Sequence, residues 1–118
     1  MTTLTHQIAA VLGPALVAVT ISEAINLKIW DDVHPTLVYL NGLLFLVGGL
    51  VIVTNHNLWQ PAGAFLVTLS GWLLVAAGLI RMFLPTAPQL APGPVTYGVI
   101  AILGALGVAL CVVGFFTR

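Results

Sequence analysis

Glu23 and Arg81 are the residues of this 118-residue chain best placed to do chemistry, because each interrupts a run of apolar residues. An ionised carboxylate or guanidinium inside hydrocarbon is costly unless it is paired or wet. Both fall about one helical turn from the end of their runs, at the same expected depth. They are therefore expected to form an ion pair, directly or through water. Thr20, Glu23 and Asn26 share a stripe at spacing three, and Asn41, Tyr39 and Tyr97 lie near enough in depth to join a polar cluster, with Lys28 as a further partner. Such a cluster could be an interhelical clamp whose charges neutralise one another and fix the register of a bundle. It could instead be a proton or cation site, in which Glu23 is unpaired and takes up a proton rather than bearing a buried charge. A neighbouring Arg81 works against the second chemistry, since a cation favours the ionised carboxylate.

Other reactive types are placed unhelpfully for chemistry. His6, His34 and His56 fall at the ends of apolar runs, in no HxxxH or Cys/His ligand spacing, so neither a metal centre nor a haem with inward axial histidines is expected. No lysine lies within a run to carry a retinal Schiff base. Ser22 and Ser70 have no histidine beside them in a run, and the glycines form no GxGxxG phosphate loop. The sequence thus implies no cofactor and no enzyme. Cys111, the single cysteine, cannot form an intramolecular disulfide and reads as a packed small residue.

The elements that must position these residues follow from composition. Charged residues make up 5% of the chain, hydrophobic residues 60%, and mean hydropathy is +1.16, whereas a soluble domain needs about 25% charged residues to cover its surface. Lipid is the expected solvent. Three Lys and Arg against three Asp and Glu give no basic field, which excludes a nucleic-acid partner. Runs long enough to cross roughly 30 Å of hydrocarbon lie at about 8–27, 36–54, 62–84 and 95–116. They are separated by 28–35, by 55–61 and by a proline-rich strap at 85–94. The expected fold is an all-α membrane protein: one domain of four transmembrane helices in a left-handed antiparallel bundle, both termini on the same side.

Helices in lipid associate through small residues and polar contacts. Gly42 and Gly49, Gly71 and Gly78, and Gly107 and Gly114 each stand seven apart, the spacing that keeps small residues on one stripe of a left-handed bundle. In the first run the corresponding stripe is Ala10, Pro14, Ala18 and Ser22, with a kink expected at Gly13 and Pro14. Trp30, Tyr39, Tyr97 and Trp59 fall near run ends as interfacial aromatics, and Trp72 near mid-run as a packing residue. The first residues lack the basic segment of a secretory signal, so a bacterial inner membrane is the simplest location. Lys28 and Arg81 against Arg118 place 28–35 and 85–94 in the cytoplasm and the termini in the periplasm by the positive-inside rule.

In architecture, the chain length, the four spans and the one acidic residue of the first span resemble the small multidrug resistance transporters. The resemblance implies a dimer whose first-span glutamates bind protons and cationic substrates in turn. Glu23 departs from that pattern, standing near the end of its span where the family's glutamate stands near the middle. The expected role is consequently a structural or accessory one, as a homo-oligomer or a subunit of a larger membrane complex in contact with the bilayer. A proton-coupled small-molecule or cation transporter, acting as an oligomer with Glu23 as its protonatable site, is the alternative, its substrate unknown.

Overall fold

The computed structural model describes residues 2–89 and 93–117. Those residues are all-helical, with no strand among them: α1 (Thr3–Ile25), α2 (Pro35–Asn55), α3 (Ala62–Phe83) and α4 (Pro94–Phe115). Each helix is long and apolar enough to cross a membrane. The 21 to 23 residues of each helix rise roughly 31–35 Å at 1.5 Å per residue, against a hydrocarbon thickness of about 30 Å.

Local chemistry sets the ends. Thr2 caps α1, its hydroxyl oxygen accepting from the Thr5 amide at 3.1 Å, so α1 starts five residues ahead of the expected boundary at residue 8. His34 caps α2, its Nδ1 accepting from the Thr36 amide at 3.2 Å, and Pro35 fills the first helical position. Leu84 leaves helical geometry immediately before Pro85, whose ring disfavours the α conformation in the preceding residue. Pro94 opens α4 in the same way that Pro35 opens α2. Of the 85–94 strap, 90–92 lie outside the described residues.

The helices form two compact units, one containing α1 and α4 and the other α2 and α3. Within each unit the pair is antiparallel, with backbones in near contact at glycine. A methyl group added to Gly78 would lie 2.5 Å from the Leu46 nitrogen and 2.6 Å from the Gly42 carbonyl oxygen. One added to Gly49 would lie 2.7 Å from both the Gly71 carbonyl oxygen and the Val75 nitrogen. One added to Gly71 would meet the Ile52 and Val53 side chains at 2.6 and 2.9 Å. In the other unit, one added to Gly114 would meet the Ala10 nitrogen at 2.6 Å, and one added to Gly13 the Cys111 nitrogen at 2.6 Å. One added to Gly107 would reach Val17 at 3.0 Å. These contacts bring peptide dipoles and Cα atoms together where a side chain would hold the helices apart.

The α1 face differs from the expected stripe. Pro14, Ala18 and Ser22 are exposed, and the buried residues are Thr5, Ala9, Gly13 and Thr20. Gly13 and Thr20 are themselves seven apart, matching the spacing of the facing Gly107 and Gly114. A stripe drawn at spacing four drifts off the seam of a pair in contact at spacing seven. α1 runs through Pro14 without a break.

Candidate functional site

The polar residues gather at the helix ends, where each pair is staggered. In the α2 and α3 pair, the approach of Gly49 to Gly71 and of Ile52 to Gly71 sets Asn55, the last residue of α2, near the level of Thr68. Thr68 is six residues into α3, roughly 9 Å from its start. The first two turns of α3 therefore outrun α2, and residues 56–61 run back along them. His56 opens this segment as the α2 C-cap, its backbone extended and its N–H donated to the Ile52 carbonyl.

Three side chains hold the segment to α3. Thr68 donates its hydroxyl proton to the Leu58 carbonyl at 2.6 Å. The same oxygen lies 2.9 Å from His56 Nδ1. A threonine hydroxyl has one proton, so His56 Nδ1 must be the donor, and the chain of bonds runs from imidazole to hydroxyl to carbonyl. His56 is 2% exposed and Thr68 0%. Trp72 Nε1 donates to Asn57 Oδ1 at 3.3 Å, from a side chain that is 44% exposed, so Trp72 is a surface tether and not the packing residue expected. Trp59 meets Phe65 edge to face with centroids 5.5 Å apart.

In the α1 and α4 pair the described histidine contact is to backbone. His6 Nδ1 lies 2.7 Å from the Val113 carbonyl oxygen, which can only accept, so this ring also carries its proton on Nδ1. Thr117 donates to the same carbonyl at 2.9 Å, meeting the need of the last α4 turn for donors. At the opposite end, the register set by Val17 with Gly107 and Thr20 with Gly104 puts Glu23 near the level of Ala101, about two turns into α4. Trp30, in the turn after α1, folds back so that Nε1 donates to Glu23 Oε1 at 3.4 Å.

The residues expected to cluster are divided between the two units. Thr20 is buried and donates to its own helix at the Val17 carbonyl, 3.0 Å away. Asn26 is the α1 C-cap, exposed, and donates to the Ser22 carbonyl at 2.9 Å. The stripe of Thr20, Glu23 and Asn26 therefore ends as three separate roles, because α1 stops at Ile25 and Asn26 turns back on the last carbonyls. Tyr39 and Tyr97 are 46% and 52% exposed. Arg81 and Asn41 belong to the α2 and α3 unit, and Glu23 to the other. A methyl group on Gly42 would meet the Arg81 Cβ at 2.8 Å, so that glycine makes room for the arginine stem. The Asn41 side-chain oxygen is buried without a hydrogen-bond partner among the described residues.

Sequence reasoning missed His56, Asn57, Leu58 and Thr68 as a group. The signal was present in a break of three polar residues, Asn55, His56 and Asn57, followed by the aromatic Trp59. Among the described residues no three His, Cys, Asp or Glu side chains stand close enough to hold a metal ion. Comparison with protein-family models, with curated proteins and with solved structures returns no match. The chain is a small helical protein with four potential membrane spans.

Proposed function

We propose that this is an integral membrane protein of structural or accessory type, a self-associating bundle or a subunit of a larger membrane complex, and not an enzyme. One observation carries the reading. The close-contact glycines are consumed within the helix pairs, and helix hydroxyls and amides bond to neighbouring backbone, as Thr20, Thr54, Asn55 and Ser70 do. What faces outward is apolar bulk such as Leu44, Val51, Ile80 and Ile102, suited to acyl chains or to the apolar helices of a partner. In this reading the helices form a left-handed antiparallel bundle in a bacterial inner membrane, with both termini on one side. The seven-residue glycine spacing supports the hand, and the distribution of Lys28, Arg81 and Arg118 supports cytoplasmic 28–35 and 85–94 loops. The clamp of Glu23 with Arg81 belongs to the same reading and rests on their depths in the sequence.

Affinity purification from mild detergent, with size analysis and identification of co-purifying chains, tests this role. A stable homo-oligomer or a defined larger complex is expected. A species that remains monomeric and alone at every concentration in detergent and in vesicles contradicts it. A double-mutant cycle on Glu23→Gln and Arg81→Leu tests the clamp, which requires a coupling energy clearly above zero.

A second reading is favoured by Glu23 alone, whose carboxylate accepts an indole N–H on one oxygen. As the protonatable site of an oligomeric transporter of small molecules or cations, it would make transport depend on Glu23. Proton-driven uptake into vesicles that survives Glu23→Gln eliminates this reading.

A further inference from the structure

The 55–61 break was expected only to separate two runs, but the partners of its residues 56–59 lie inside α3. The Leu58 carbonyl meets Thr68, Asn57 meets Trp72, and Trp59 meets Phe65. From Asn57 to Trp59 the partner on α3 moves toward the helix start, as for an extended chain running antiparallel to a helix, while His56 shares Thr68 with Leu58. Extended backbone advances about 3.3 Å per residue against 1.5 Å for the helix. The five residues from 57 to 61 therefore suffice to cover the distance from the Trp72 side chain to the start of α3.

We infer that the 56–61 segment is a lipid-embedded anchor: Trp59 and Phe65 occupy the glycerol and headgroup layer of the bilayer, and 56–58 lie in hydrocarbon beside the first turns of α3 and the Trp72 side chain. This inference rests on the membrane-spanning reading of α3. Phe65 and Trp72 are seven residues apart on one helix, which separates the two aromatic levels by roughly 10 Å. Trp59 and Phe65 are both half-exposed, and the exposed Gln60 and Pro61 follow toward water. An indole with an apolar body and a polar N–H is suited to that layer. Non-helical backbone below it is tolerated only where protein groups meet its hydrogen bonds. For two of its backbone groups such partners are present: Thr68 on the Leu58 carbonyl, its oxygen also held by the His56 ring, and the Ile52 carbonyl on the His56 amide. Trp72 meets the Asn57 side chain at the same depth.

The test uses the full chain in phosphatidylcholine vesicles whose lipids carry bromine either near the glycerol end or near the methyl end of the acyl chain. With Trp59 as the sole tryptophan (Trp30→Phe with Trp72→Phe), quenching by the shallow bromine should exceed that by the deep one about twofold or more. With Trp72 as the sole tryptophan (Trp30→Phe with Trp59→Phe), the order should reverse. Equal depths for the two indoles overturn the inference. Absence of quenching at either position overturns the membrane-spanning reading beneath it. A spin label on Leu58→Cys in a Cys111→Ala background avoids altering any tryptophan. Greater collision with oxygen than with a water-soluble nickel chelate is expected, and the opposite ratio places 58 in water and contradicts the anchor.

Discussion

The two helix pairs share one construction and differ in how they are fastened. Each is antiparallel, each brings backbones into contact at glycines, and each is staggered so that one helix outruns its partner beside a segment that folds back. In both, a tryptophan N–H holds a polar side chain of the other strand of the turn: Trp72 on Asn57, and Trp30 on Glu23. The fastenings at the histidine ends are unequal. His56, Thr68 and Leu58 form a buried chain of bonds in which one hydroxyl serves two partners. His6 meets a single carbonyl that Thr117 also serves. The comparison teaches that glycine contact sets how closely these helices approach, whereas the polar fastening sets where the connecting backbone lies. The α2 and α3 pair needs the stronger fastening because its connection is irregular backbone with carbonyls to satisfy.

The sharpest way to break this comparison is to force the helices apart. Gly78→Leu should destabilise the α2 and α3 pair by about 3 kcal/mol or more, since even its Cβ would lie 2.5 Å from the Leu46 nitrogen. Gly114→Leu should do the same to α1 and α4, where the Ala10 backbone is 2.6 Å away. Reversible unfolding in mixed detergent micelles, with hydrogen exchange to locate the loss, measures both. Exchange should rise in the affected pair first.

Next in size is Thr68→Val, which keeps the shape of the side chain but leaves the Leu58 carbonyl and the His56 ring without their shared partner. A loss of about 1–3 kcal/mol is expected. The matched change His6→Phe removes one bond to a carbonyl that keeps the Thr117 hydroxyl, so about 1 kcal/mol or less is expected. Equal losses from the two changes would mean that the fastenings are equivalent, against the difference drawn here. Smallest of all, Trp30→Phe removes a 3.4 Å bond at the end of α1 and should cost about 0.5 kcal/mol. Its clearer readout is increased exchange of the amides at 26–31.

Helix number and placement were legible in the sequence because length and polar punctuation decide them, as Pro35, Pro94 and the break after Leu84 show. The faces were legible only where glycine marked them. Gly42, Gly49, Gly71, Gly78, Gly107 and Gly114 are all buried, whereas on α1 the small but exposed Ala18 and Ser22 misled. Nearly every residue of a membrane helix is apolar, so hydrophobic periodicity carries little information about which side meets a neighbour. Thr20 was read as part of a polar stripe, whereas it is buried on α1 with its hydroxyl turned to the Val17 carbonyl of its own helix. The pairing of α1 with α4 and of α2 with α3 has no local signature at all. The histidine fastenings stayed hidden for a related reason: hydrogen bonds to a carbonyl or a hydroxyl from a distant turn leave no spacing pattern behind.

The central claim is that backbone contact at buried glycines holds each pair together, and the smallest possible side chain tests it most directly. Gly78→Ala and Gly48→Ala add the same methyl group, to a helix contact in the first case and to open space in the second, where nothing lies within 4 Å. Unfolding free energies in the same micelles should fall by at least about 1 kcal/mol more for Gly78→Ala than for Gly48→Ala. Equal values for the two variants would contradict the claim.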